Sequence, residues 1–199
     1  MSENSATVSL PNVYDFDNTI VNFDSGSQFM RFAMKRNPKL LRFLPRITLE
    51  FLRFVRRVRF KKVPCRGEYY EFICAIRDFR EEVRLFWEAK AEQALRPWYL
   101  AQLRPDDIVI SCSPDFLLQP LCDQLGVRLV STKVNLGTGR LESYSCYGEE
   151  KVRRLREAFG DTGINEFYSD SRTDTPLAKL AHKAFLVKGD KRVPWPNNK

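Results

Sequence analysis

Apolar positions along the chain follow two regimes: short β-rich runs separated by helical periods at both ends, and a long stretch of three- and four-residue periodicity between them. Residues 10 to 19 read as a first strand ending in an acidic motif, and strand character resumes after Asp107 with Ile108 to Ser111. Pro114 to Gly126 reads as a helix, with Pro114 near its first position and Gly126 past its end. Val127 to Val130 is a short strand, and the run KVNLGTGRLES predicts a hairpin turning at Gly137 to Gly139. A helix from about Gly148 to Phe159, the strand NEFYS, a short helix near Thr175 to His182 and a last strand AFLV complete the pattern. Strands alternating with helices predict an α/β protein with a parallel, doubly wound sheet covered on both faces.

Residues 23 to 105 break this alternation. They are too many for a crossover and read as nearly all helix, which predicts a helical domain inserted between the first two strands, with residues 1–22 and 106–199 forming the core. From Pro45 onward, Ile47, Phe51, Phe54, Val55 and Val58 recur at helical steps, while Arg46, Arg53, Arg56 and Arg57 fall mostly on the other side. Between Arg31 and Arg66, thirteen Lys and Arg face a single acid, Glu50. Three readings of this basic amphipathic helix stand open: packing on its neighbours with a solvated basic face, lying in the plane of a membrane surface, or contacting nucleic acid. Arg53, Arg56, Arg57 and Arg59 exclude a spanning segment.

Composition sharpens the picture at three points. The 199 residues, 43% of them hydrophobic, suffice for a folded core, and the net charge of +8 points to an anionic partner: nucleic acid, a phospholipid surface or a phosphorylated substrate. Five cysteines (Cys65, Cys74, Cys112, Cys122 and Cys146) show no CxxC pair, which argues against a disulfide framework or zinc site and for reduced thiols in a cytosolic protein. The N-terminal residues lack the basic and apolar regions of a signal peptide, and no run approaches the ~20 apolar residues of a membrane span. A cytoplasmic protein is expected, with peripheral contact at the inner membrane surface under the second reading of the helix.

The chemistry lies at the predicted strand ends. Asp15 and Asp17 crowd the end of the first strand and repel each other unless a cation or a reaction uses them. Ser111 is expected to close the second strand and Asp170 the strand before SDSRTD, with Lys151 able to join them. Oxygen-only ligands select Mg²⁺. With a metal and a lysine neutralising a phosphoryl group, one carboxylate can attack phosphorus while a second protonates the leaving oxygen and later activates water, and Asp15 and Asp17 suit these roles. Ser111 can donate to the phosphoryl oxygens.

Together, D-F-D-N-T at residues 15–19, the strand-final Ser111, Lys151 in GEEK and D-S-R-T-D at residues 170–174 resemble, in order, the four motifs of the haloacid-dehalogenase superfamily, specifically its phosphatases with a helical cap after the first motif. The resemblance implies a Rossmann-like core, Asp15 as nucleophile and metal ligand, and Asp17 as acid/base whose main-chain carbonyl also binds metal. It implies that Thr19 shapes the loop, that Ser111 and Lys151 hold phosphate, that Asp170 completes the Mg²⁺ site, and that Asp174 supports the metal shell or the lysine. The chain looks similar to phosphoserine-phosphatase-like enzymes and to bacterial phosphatidylglycerophosphate phosphatases. Asp24 falls where the former carry a substrate-facing acid, and the stretch from Phe72 to Arg77 resembles their cap segment ending in a substrate-binding arginine, although its spacing from Gly67 is off by one residue.

Plainer roles compete at several positions. A lone DxD is usually a turn or helix cap, Asp174 can cap the helix near Thr175, Lys133 competes with Lys151, and Ser113 with Ser111. His182 reads as structural, and Cys112 as a bystander. The expected function is Mg²⁺-dependent phosphomonoester hydrolysis through an aspartyl-phosphate. Its substrate is read as a phosphorylated lipid headgroup or, alternatively, a small soluble ester such as phosphoserine. An inert core carrying an anion-binding module is the alternative from another class.

Overall fold

The computed structural model describes residues 10–59, 70–161 and 163–196. Cys65, Arg66 and Gly67 lie outside the described residues.

Six strands form one sheet in the order β3-β2-β1-β6-β7-β8. These are β1 (Val13–Tyr14), β2 (Ile108–Pro114), β3 (Arg128–Thr132), β6 (Ile164–Ser169), β7 (Ala181–Lys188) and β8 (Lys191–Pro194). The first five run parallel and β8 returns antiparallel to β7. The chain builds outward from β1 through β2 to β3, then crosses to the other side for β6 and β7, so the topological switch falls between β1 and β6. A separate two-stranded hairpin is formed by β4 (Val134–Asn135) and β5 (Arg140–Leu141).

Alternation along the strands divides the core. Val13, Ile108, Ile110 and Phe167 turn to one face, against α6 (Glu149–Phe159) and α7 (Thr175–Ala178). Tyr14, Val109 and Tyr168 turn to the other, against α5 (Asp115–Leu125) and the helices of the insertion. Tyr14, Tyr168 and Phe185 stand side by side across β1, β6 and β7, with successive ring centroids 5.0 Å apart in stacked pairs.

The described part of the insertion is helical: α1 (Ser25–Arg36), a 3₁₀ segment (Pro38–Phe43), α2 (Leu44–Arg59), a second 3₁₀ segment (Glu71–Ala75), α3 (Phe79–Ala94) and α4 (Pro97–Leu100). Asp24 caps α1 by accepting from the Ser27 amide, and Asp78 caps α3 by accepting from that of Glu81. The chain leaves and re-enters side by side: Val21 and Leu95 form an antiparallel bridge, Asn22 N donates to Ala94 O and Arg96 N to Ile20 O, both at 2.9 Å. Trp87 on α3 donates its indole N–H to Leu117 O of α5 at 2.6 Å, joining the insertion to the helix over the sheet.

Several boundaries differ from the sequence-based expectation. The ladder of the first strand covers only Val13–Tyr14, and Phe16–Ile20 coils into a π-type turn with Asn18 left-handed at φ 56°. Ser111 lies inside β2 rather than at its end; the register with β3 slips between Ser111 and Pro114, so the strand continues past an irregularity. The helix expected to reach His182 stops at Ala178, and His182 sits exposed on β7 rather than at a helix end.

Candidate active site

Asp15 is placed by the sheet itself. Its N–H donates to Tyr168 O at 2.8 Å, carrying the β1–β6 pairing one residue past the strand and setting the side chain at the switch point. The π-type turn then folds Thr19 back beneath it. Fully buried, Thr19 accepts from Asp170 N at 3.0 Å and donates to Asp15 Oδ2 at 3.4 Å, tying the loop after β1 to the loop after β6.

Lys151, in the first turn of α6, reaches this point from the opposite face of the sheet. Its Nζ donates to Asp15 Oδ1 and to Asp174 Oδ2, each at 2.7 Å, and its side chain is only 3% exposed. Asp174 also accepts from Ser169 Oγ at 2.8 Å. Burial alone would lower the lysine pKa, but the Asp15 and Asp174 carboxylates more than offset it and hold the ammonium above its ordinary range. For Asp15, burial outweighs the lysine and, together with the Asp174 and Asp170 charges, pushes the carboxyl up to about 7.

Asp17 occupies a different environment. Oδ1 accepts from the Ser25 amide at the start of α1 at 2.7 Å, and Oδ2 accepts from the Ser113 hydroxyl. Burial, then the Asp24 charge, raises its carboxyl to about 6 against these hydrogen bonds. Ser111 is buried beside it, and its Oγ accepts from Ser113 N at 3.1 Å across the irregularity in β2. Ser111 and Ser113 are therefore not alternatives: both line the site, and Ser113 orients Asp17.

These groups form the floor of a cavity of about 510 Å³. Its wall is apolar, built from Phe29 and Met30 of α1, Phe116 of α5, Phe72, and Leu44, Ile47 and Phe51 of α2. The apolar face of the basic helix thus overhangs the cavity while staying largely open: Phe51 is 59% and Leu52 54% exposed. On its flanks Arg46 pairs with Glu71, and Arg53 with Glu50. Among the described residues no helix is long and apolar enough to cross a membrane.

The remaining sequence candidates divide. Asp24 lines the cavity, with Oδ1 engaged by its capping bond to Ser27 N at 2.7 Å. Arg77 is exposed and does not line it. Lys133 pairs with Asp115 at 3.4 Å and is not among the lining residues. The Cys112 thiol does line the cavity, but burial pushes it up to about 12, so it is no thiolate at neutral pH. Cys74, Cys112, Cys122 and Cys146 are all free thiols.

Sequence reasoning missed two polar partners, Ser25 and Ser169, and weighed Ser113 only as a rival of Ser111. Serine is common, and nothing in its spacing marks a hydroxyl or amide aimed at a carboxylate from a helix start, a strand irregularity or a neighbouring strand end.

The family model for haloacid dehalogenase-like hydrolases matches residues 13–179, a span that contains every one of the converging groups. The chain belongs to the haloacid dehalogenase-like hydrolases. This hydrolase is 27% identical over 186 residues to protein CicA of Caulobacter vibrioides, covering 84% of this chain and 81% of that one. It is 25% identical over 217 residues to a histidinol-phosphatase of Neisseria meningitidis serogroup C, covering 92% and 96%. A crystal structure of a protein of unknown function from Bordetella pertussis Tohama I superposes with a TM-score of 0.62 at 20% identity, covering 87% of each chain, and shares the fold.

Phosphatases of this family generally use Mg²⁺, and the donor set of the hydrolase suits it. One ammonium, Lys151, faces three carboxylates, Asp15, Asp170 and Asp174, leaving negative charge uncompensated. Burial and Asp174 raise the Asp170 carboxyl as well. Every available donor is oxygen, which fits a hard cation. No ready-made cluster of three metal-holding side chains occurs among the described residues. The Asp17 carboxyl is turned to Ser25 and Ser113, which leaves Asp15 and Asp170 as the side-chain donors.

Proposed function

We propose that this hydrolase cleaves phosphomonoesters through an aspartyl-phosphate on Asp15, with Asp17 as acid and base, under a helical cap formed by residues 23–105 on a core of residues 1–22 and 106–199. The observation that carries the reading is the division of labour between two carboxyls two residues apart. Asp15 is fixed by Lys151 at 2.7 Å, whereas Asp17 is held apart by the Ser25 amide and the Ser113 hydroxyl. A nucleophile needs a fixed, cation-paired carboxylate; a general acid needs a carboxyl held off that cation and able to pass a proton to the leaving oxygen.

In this reading Asp15 Oδ2, which Thr19 holds only weakly at 3.4 Å, attacks phosphorus; a carboxylate oxygen gains the phosphoryl group as the ester oxygen leaves, and Asp17 protonates that oxygen. Asp17 then takes a proton from water as the water displaces Asp15 from phosphorus, restoring both carboxyls. Ser111 and the ammonium of Lys151 stabilise the phosphoryl oxygens, while Asp174 keeps Lys151 in place. Asp15, Asp170 and the Asp17 main-chain carbonyl would hold Mg²⁺, which supplies positive charge against the phosphoryl oxygens when bound.

The apolar wall above this polar floor supports a substrate whose phosphate sits on an apolar body, and a phosphorylated lipid headgroup meets that description. The open apolar face of α2 with its arginines supports docking at an anionic membrane surface, where such a substrate resides. A second reading, a small ester bearing an amine, draws on Asp24 at the cavity wall. Arg77 receives no role.

The test is phosphate release with Mg²⁺ from phosphatidylglycerophosphate in vesicles, phosphoserine and an aryl phosphate, beside the Asp15→Asn protein. The lipid ester should turn over fastest and Asp15→Asn should abolish all release; release undiminished in Asp15→Asn would defeat the reading.

A further inference from the structure

The hairpin of β4 and β5 meets the helical insertion at Gly139. Its φ is +67°, and a Cβ there would lie 2.5 Å from Cα and N of Glu71 and 2.6 Å from the carbonyl carbon of Tyr70. All three are backbone atoms, so no rotamer change makes room. The same turn holds the segment a second time: the Cys74 thiol donates to Gly137 O at 3.4 Å and to Leu136 O at 3.7 Å.

The contact continues to the cavity roof. Glu71 Oε2 pairs with Arg46 Nη1 of α2 at 2.7 Å, and Tyr70 itself lines the cavity, edge-on to Phe116 with centroids 5.8 Å apart. Hairpin backbone, 3₁₀ segment and α2 are therefore joined in series, and α2 carries Leu44, Ile47 and Phe51 of the apolar wall.

We propose that Gly139 is a positioning residue for substrate selection: by letting the hairpin close against Tyr70 and Glu71, it sets how far α2 stands over the cavity and so the apolar group that fits beside the phosphoryl site. The selection rests on the hydrolase reading above; the mechanical link does not. Gly137 is a matched control in the same turn, because a Cβ there meets only Asn135 Oδ1 at an ordinary 3.5 Å.

The experiment compares the parent protein with Gly139→Ala, Gly137→Ala and Glu71→Gln. Amide hydrogen exchange of the α2 peptide is read alongside kcat and KM for decyl phosphate and phosphoserine. Gly139→Ala should speed exchange in α2 and raise KM for decyl phosphate about tenfold, the scale of one lost apolar contact, with kcat and the phosphoserine constants unchanged. Gly137→Ala should match the parent. Glu71→Gln breaks the link at an ion pair, so it should speed α2 exchange even if Gly139→Ala fails to fold. Parent-like α2 exchange in both Glu71→Gln and a folded Gly139→Ala, or equal losses on both esters, would overturn the proposal. A parent that hydrolyses neither ester would defeat the hydrolase reading instead, and the exchange comparison would still decide the link.

Discussion

The ammonium of Lys151 donates to Asp15 Oδ1 at 2.7 Å, joining the first turn of α6 to the end of β1 across 136 residues of chain. Among the described residues it is the cation that Asp15 and Asp174 share.

Lys151→Met leaves those two carboxyls buried without their cation, and a broken buried ion pair typically costs about 3–5 kcal/mol. The loss should grow with pH, because the unpaired carboxyls are tolerated protonated and resisted ionised. In the parent, the raised lysine pKa contributes stability that is complete below the unfolded lysine value, near 10, and lost only above it, so between about pH 5 and 9 the growing deficit of the variant comes from the carboxyls alone. Urea denaturation of both proteins across that range checks the contrast, alongside complete loss of phosphate release in the variant.

Asp107 tests burial away from the site. It is fully buried, accepts from Arg104 N at 2.9 Å through Oδ2, and burial raises its carboxyl to about 6. A raised carboxyl costs nothing below the unfolded value, near 4, and its penalty grows as pH rises to about 6. Asp107→Asn should therefore stabilise the fold above about pH 6 by roughly 1–2 kcal/mol, allowing for solvent screening, with the gain vanishing below about pH 4. Thermal melts at both ends of the range measure it.

Chelation should stop turnover, and Mg²⁺ should restore it. Asp170 is proposed as a side-chain donor to the metal and its amide is separately held by Thr19 at 3.0 Å, so Asp170→Asn should keep the loop in place while raising the Mg²⁺ needed for half-maximal rate about tenfold or more. Metal titrations of the two proteins give the comparison.

Phe51 is 59% exposed, so Phe51→Ala should change stability by only about 0.5 kcal/mol. It should weaken binding to anionic vesicles and slow hydrolysis of a vesicle-borne ester while leaving phosphoserine hydrolysis unchanged. Co-sedimentation with vesicles and parallel rate measurements separate the two effects.

The parallel sheet and the helical insertion were legible from the alternation of strand and helix periods, and Asp15 and Asp170 from charge at strand ends, which is costly unless used; Lys151 and Asp174 were brought to the site by the family resemblance. The serines around Asp17 were not, since their contacts depend on the irregularity in β2 and on the first amide of α1. The run KRVP hid β8: it is short, charged and closed by proline, the features of a protected edge strand. The first strand read too long because Asn18 adopts the left-handed conformation and turns the chain, which hydrophobic periodicity does not record. The basic helix read as amphipathic, but that its apolar face overhangs the site depends on the insertion folding back across the sheet.

The central claim is that Asp15 takes the phosphoryl group. An aryl phosphate needs no proton to leave, so an Asp17→Asn protein should still be phosphorylated by it but release phosphate slowly for want of a base. Rapid acid quenching followed by mass spectrometry should then find a phosphoryl adduct on the peptide carrying Asp15, discharged by hydroxylamine. Turnover by the parent protein with no adduct at Asp15 in the variant, and with Asp15→Asn still releasing phosphate, would contradict the account.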